Sequence, residues 1–147
     1  MRHGDPAMEY IVGITLALFF CAAAAGLGMD RERVFYPAVA ITVASYYLAF
    51  SAGDGRAEVW LTEVAIAAVF IVGAVLGFKR NPWIAVLALG GHGVMDSFHG
   101  HLVHNTGVPA SWPGFCITFD VTAAVIVALV MLARARRARH HQTLELH

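Results

Sequence analysis

The sequence has few charged residues and few cysteines. Only 14% of its 147 residues are Asp, Glu, Lys or Arg, whereas a soluble domain carries about 25%. Hydrophobic residues make up 59%, which excludes intrinsic disorder and argues against an ordinary water-soluble globule. Two cysteines exclude a disulfide-stabilised scaffold. A formal net charge of zero leaves no electrostatic basis for binding nucleic acid.

The sequence is instead rich in long apolar stretches. Five of them have the length and polarity of membrane spans, and they cover residues 8–28, 34–53, 59–78, 82–104 and 115–135. Backbone groups inside a bilayer must pair within each segment, so we predict helices. We therefore expect an all-α integral membrane bundle of five transmembrane helices. Residues 1–135 would form one transmembrane domain, and residues 136–147 a basic cytoplasmic tail.

The basic residues predict the orientation of this bundle. One side of the five-span arrangement holds Arg31, Arg33, Lys79, Arg80, Arg134, Arg136, Arg137 and Arg139. The other side holds only Arg2 and Arg56. Cytoplasmic loops carry the excess of Lys and Arg, so we expect the N-terminus outside and the C-terminus in the cytoplasm of a multi-pass protein of the cell inner (plasma) membrane. A cleaved signal peptide in the first span is the alternative, and it would reverse this charge distribution.

The polar residues of the apolar spans concentrate between residues 91 and 120. At about 100° per residue, His92, Asp96 and His99 share one face of the fourth helix. Cys116 and Asp120 are four residues apart and share a face of the fifth. Ionisable groups inside a span usually face the bundle interior, so we expect the two faces to converge. The Asp96 and Asp120 carboxylates should then lie within about 10 Å of each other.

These residue types suit a metal. Neutral imidazole and carboxylate are ligands for zinc, and for iron where coordination positions stay open. We expect the metal ligands to be His92, Asp96, His99 and, at the outer mouth, His104. A further ligand, a supporting partner or a general base would come from the candidate catalytic residues Asp120, Glu63 and Cys116. His101 lies on the opposite face of the helix and is not expected to take part.

Other interpretations of the same residues stay open. The cluster could be a proton relay or a polar ligand site without a metal, or a structural hydrogen-bond network between helices. A pair of metals bridged by Asp96, Asp120 and Glu63 is a further arrangement. Tyr46 and Tyr47 are interpreted as packing and interfacial residues rather than site members.

The motif spacing also carries a resemblance. His92-x3-Asp96-x2-His99, a Pro-containing loop and then Cys116-x3-Asp120 resemble a family of small, uncharacterised bacterial multi-pass membrane proteins. The resemblance covers about thirty residues and not the first three spans. It implies that these residues belong together, and it brings no activity or cofactor with it.

We therefore expect an integral membrane metalloprotein with a transition metal, zinc or iron. Our leading hypothesis is an enzyme that acts on a lipid or other hydrophobic small molecule at an outward-facing His/Asp site, by hydrolysis or oxygen chemistry. The alternatives are a proton-, ion- or ligand-translocating protein without enzymatic activity, and a structural subunit of a membrane complex. The expected partners are membrane lipid and a hydrophobic substrate, with no nucleic acid, and the chain can form a homo-oligomer.

Overall fold

The computed structural model describes residues 6–145, and those residues form five long helices. They are α1 (Pro6–Gly26), α2 (Phe35–Asp54), α3 (Ala57–Lys79), α4 (Pro82–Leu102) and α5 (Trp112–Glu145). A short 3-10 turn, Met29–Arg31, lies between α1 and α2. The predicted all-α helical bundle is thereby confirmed. Arg2 and the last two residues of the basic tail lie outside the described residues.

The surface of the bundle is apolar. Four helices, α1, α2, α3 and α5, are long and apolar enough to cross a membrane. Large apolar side chains point away from the bundle, such as Phe19 and Leu87, each 71% exposed, and Val69, 68% exposed. A soluble monomer rarely exposes so much contiguous apolar surface, so the chain is a membrane protein. Leu87 belongs to α4, which is not one of these four helices because its polar residues lower its mean hydropathy.

The start of α4 is where the sequence predicts it. The Asn81 side chain accepts a hydrogen bond from the Trp83 amide at 3.1 Å, and Pro82 occupies the first helical position. Asn is a strong capping residue, and proline at that position loses no hydrogen bond. The end of α4 differs from the prediction, because Val103 is extended (φ −138°, ψ 123°) and the helix stops at Leu102.

The fifth helix is longer than its predicted span. It runs to Glu145, whereas the apolar stretch ends at residue 135. The residues beyond that point include three Arg, Ala138 and Leu144, which are good helix formers. The described part of the basic tail is therefore a continuation of α5.

The order of packing places α4 in the middle of the molecule. The chain of neighbours runs from α1 to α5, α4, α3 and α2, and α2 also packs against α4. By contrast, α2 makes few close backbone contacts with α1 or α5. Because α4 touches three helices, its polar face is covered by protein rather than lipid, as ionisable groups in a span require.

Polar contacts join the α2–α3 turn to the loop after α4 at one end of the bundle. Arg56 donates to both carboxylate oxygens of Asp54, at 2.7 and 2.8 Å, and this carboxylate raises the pKa of Arg56. Arg56 also donates to the backbone carbonyl of His104. Asp54 in turn accepts from the amide and hydroxyl of Thr106, at 2.8 and 2.7 Å. The loop after α4 is thereby held against the α2–α3 turn.

Candidate metal centre

Three side chains from two helices form the centre of the candidate site. His92 and Asp96 are one turn apart on α4, and Asp120 comes from α5. One potential ligand atom from each lies within 4.8 Å of the other two. Each side chain belongs to a residue that is at most 2% exposed. The predicted convergence of Asp96 and Asp120 across adjacent helices is confirmed.

Gly93 allows α5 to come this close. A Cβ atom at this position would lie 2.9 Å from the Cβ of Asp120 and 3.2 Å from the carbonyl oxygen of Ile117. Real Cβ atoms almost never approach another atom below 3.0 Å. The missing side chain at Gly93, next to His92 in the sequence, therefore sets the distance between the two halves of the site.

Hydrogen bonding within this group is incomplete. His92 Nδ1–H donates to Asp120 Oδ2 at 2.8 Å, and Asp96 Oδ2 lies 3.5 Å from the same nitrogen. Within the described part of the chain, both carboxylate oxygens of Asp96 and Oδ1 of Asp120 are buried and find no hydrogen-bond partner. Buried polar atoms are nearly always paired. Three unpaired carboxylate oxygens in one place therefore indicate a site for a cation or a polar ligand.

A second polar group lies next to the first, towards the end of the bundle that holds the α2–α3 turn. Glu63 of α3 accepts hydrogen bonds from His99 Nε2–H at 3.0 Å and from the Asn105 side-chain amide at 2.8 Å. Asn105 also donates to the backbone carbonyl of Tyr47 at 3.3 Å. Glu63 is 1% exposed and His99 is 2% exposed. Here, in contrast to the first group, the buried carboxylate is paired.

Tyr47 of α2 connects the two groups. Its ring stacks on the His99 imidazole, with 3.8 Å between the ring centroids, and lies 6.1 Å from the His92 ring. Its hydroxyl faces the Asp96 carboxylate and interacts with it, but neither group makes a hydrogen bond of regular geometry. Phe70 packs edge-on against His92, with the centroids 5.0 Å apart. The two polar groups therefore form one continuous buried region.

The structure places the predicted site residues in three different environments. His92 and Asp96 lie with Asp120 in the convergent group, which makes Asp120 a candidate ligand. His99 lies instead with Glu63. His104 is exposed, because the chain leaves the helical path at Val103 before reaching it.

The remaining residues on these two helices follow the predicted faces. Cys116 is a buried free thiol one turn before Asp120, and it is not one of the convergent residues. His101 is exposed, in agreement with its predicted position on the opposite face of α4. His92, Asp96 and His99 are all buried, so the predicted polar face of α4 is confirmed.

Two residues of the site are not identified by the sequence analysis. The sequence predicts Tyr47 to be a packing or interfacial residue. Its hydroxyl within a long apolar stretch is the signal that could have indicated a polar neighbour. Asn105 lies three residues after the end of α4, but nothing in its spacing relates it to Glu63, which lies 42 positions earlier. That contact depends on how the loop after α4 folds over α3.

Comparisons with protein-family models, with curated proteins and with solved structures find no match for this chain. The resemblance based on the His/Asp and Cys/Asp motifs therefore stays a prediction.

Proposed function

We propose that this chain is an integral membrane metalloenzyme that hydrolyses a lipid or another hydrophobic small molecule. The observation that supports the proposal is the convergent group His92, Asp96 and Asp120, in which three buried carboxylate oxygens have no hydrogen-bond partner among the described residues. Unpaired buried carboxylate oxygens are costly, and coordination of a cation removes that cost.

The donor set favours zinc, with iron as the second choice. Zinc is bound by His nitrogen and Asp oxygen, and catalytic zinc sites keep three protein ligands with one position open. His92, Asp96 and Asp120 supply one imidazole and two carboxylates. A zinc ion held there would supply a Lewis acid that lowers the pKa of bound water and so provides a nucleophile. Iron suits the same types of ligand where coordination positions stay open.

The neighbouring group supplies the residues for proton transfer. A carboxylate that holds an imidazole in a fixed orientation is a common arrangement for a general base, and Glu63 holds His99 in this way. Glu63 is also bound by Asn105, so its oxygens are not free to bridge a pair of metals. This favours hydrolysis at one metal over oxygen chemistry at two.

The proposed topology places the site in the outer half of the membrane. We infer five spans, with the N-terminus outside and the basic C-terminal end of α5 in the cytoplasm of a cell inner (plasma) membrane. The basis is the distribution of Lys and Arg and the apolar outer surface of α4. Asp96 lies six residues before the end of α4, about 9 Å along the helix. A lipid in the outer leaflet can reach this depth.

A proton relay is the second candidate function, favoured by the hydrogen bond between His92 and Asp120 at 2.8 Å. The inner half of the bundle argues against it. There, an apolar core that includes Leu89, Val127 and Ala74 lies between the site and the Asp30–Arg134 ion pair. No ionisable residue occurs at positions 82–91 of α4 or 121–133 of α5, so these helices offer no continuation of a relay.

Hydrolysis in isotopically labelled water tests the enzymatic proposal. Full-length protein would be reconstituted with zinc in vesicles of a mixed bacterial lipid extract in ¹⁸O-water, and released products analysed by mass spectrometry. We expect ¹⁸O in a product of the wild type and a loss of at least about tenfold in Asp120→Asn, because a ligand is removed. His101→Ala, on the exposed face of α4, serves as the control and should keep the activity. No labelled product from the wild type, or equal amounts from Asp120→Asn, would contradict hydrolysis at this site.

A further inference from the structure

A cavity of about 500 Å³ lies between α1, α2 and α5, in the size range of roughly 300–1,000 Å³ that is usual for small-molecule sites. Its wall is mainly aromatic and aliphatic and includes Phe20, Phe35, Val39, Tyr46, Phe115 and Phe119. Asp120 and Cys116 also line it. The cavity therefore borders the candidate metal centre without opening onto it, because Asp120 contributes to its wall and is 0% exposed.

The cavity is located where the helices stand apart. Close backbone contacts of α2 with α1 and α5 are few, and aromatic side chains bridge the gap instead. Phe20 stacks on Phe35 with 5.6 Å between ring centroids, and Tyr46 meets Trp112 at 5.1 Å. Ala38, on the wall of the cavity, is an exposed residue. A molecule in the hydrocarbon region of the membrane therefore has a lateral route into the cavity.

The dimensions and the polarity of the cavity match a hydrocarbon chain. From Tyr46 to Phe35 the wall follows eleven residues of α2, about 16 Å at 1.5 Å per residue. Half of a hydrocarbon core about 30 Å thick is about 15 Å. The Thr42 hydroxyl on this wall donates to the Ala38 carbonyl at 2.9 Å, so it is already satisfied within the helix.

Two residues of the cavity wall, Asp120 and Trp112, each have a buried polar atom without a partner among the described residues. These atoms are Oδ1 of Asp120 and the indole nitrogen Nε1 of Trp112. The indole N–H is a donor only, and a buried donor almost always has an acceptor. An apolar chain with an oxygen-containing group at one end would provide that acceptor after a small movement of the indole ring.

We propose that this cavity binds the single long hydrocarbon chain of the substrate, with its oxygen-containing end at Trp112 and Asp120 and its tail pointing to Phe20 and Phe35. The proposal rests on the function proposed above and makes it more specific. It assigns the substrate to long-chain acyl compounds that enter sideways from the membrane.

Photolabelling tests this assignment. The full-length protein would be placed in phosphatidylcholine vesicles with a palmitic acid analogue that carries a diazirine near its chain end. We expect label on the deep wall, at Phe20, Phe35 and Phe119, and competition by excess unlabelled palmitate. Ala38→Trp should lower this labelling at least tenfold by filling the cavity, and the milder Ala38→Leu should lower it by less. Ala68→Trp, on the exposed side of α3, is the matched control and should leave it unchanged.

Metal analysis of the same samples separates the two proposals. Ala38→Trp should lose label and keep metal, whereas Asp96→Asn should lose metal and keep label. Label spread evenly over lipid-facing positions such as Val69, with no effect of palmitate or Ala38→Trp, would mean surrounding membrane lipid only and would overturn the assignment. Covalent dimers formed through cavity residues would also overturn it, because a second copy of the chain would then be the occupant.

Discussion

At the scale of single residues, the five His, Asp and Glu side chains of the candidate site divide into two groups with different chemistry. Glu63 and His99 satisfy each other, and Asn105 completes the pairing. In the other group the hydrogen bond between His92 and Asp120 leaves three carboxylate oxygens unpaired. The first group therefore has the properties of a stable hydrogen-bond network, and the second has the properties of a binding site.

Glu63→Ala tests this division. The substitution leaves His99 and Asn105 buried without their acceptor, so we expect it to lower the free energy of unfolding by about 1–3 kcal/mol. Metal content should be unchanged, because Glu63 is outside the convergent group. The measurements are denaturant unfolding in detergent and elemental analysis of the folded protein.

Thr62→Ala is the control for that experiment. Thr62 is the neighbouring residue on α3, and its exposed hydroxyl donates only to the Glu58 carbonyl of the same helix, so its loss should change stability little. Depletion of metal in Glu63→Ala to the level seen in Asp96→Asn would instead make Glu63 a ligand and would contradict the division.

At the scale of helices, the contact between α4 and α5 assembles the metal centre. At Gly93 the two helices pack closely against each other beside the site. We expect Gly93→Ala to push Asp120 away from His92 and so to lower both metal content and thermal stability. The matched change Gly100→Ala is on the same helix, where an added Cβ meets nothing within 4 Å. It should keep the metal and raise stability by up to about 1 kcal/mol through helix propensity.

Comparison of the two glycine variants separates the effect of helix–helix packing from the effect of helix propensity. Unchanged metal content and melting temperature in Gly93→Ala would show that the two helices can separate without affecting the site. Close packing at Gly93 would then not be what positions Asp120 beside His92.

How far the sequence predicts the helices can be judged from α4. Its start, its polar face and the exposure of His101 follow from one capping residue and from helical spacing. Its end does not, since the extended conformation of Val103 has no strong signal such as proline or glycine at that position. His104 was therefore expected on the helix, whereas it lies beyond it.

At the scale of the whole molecule, contacts between helices determine which side chains meet in the site. Spacing within a helix shows which side chains share a face, but not which neighbouring helix that face meets. The pairing of Glu63 with His99, the position of Tyr47 between the two groups and the gap between α2 and α5 all depend on how five helices rotate and pack. A single sequence carries no direct record of that arrangement.

Metal content of the purified full-length protein tests the central claim most directly. We expect about one equivalent of zinc or iron per chain after purification without chelators. Asp96→Asn and Asp120→Asn should lose most of it, whereas His99→Ala and His101→Ala should retain it. Occupancy should fall towards acidic pH, because the ligands bind metal only with the imidazole neutral and the carboxylates ionised. A wild type without stoichiometric metal, even after incubation with zinc, or a His101→Ala variant as depleted as Asp96→Asn, would contradict the account.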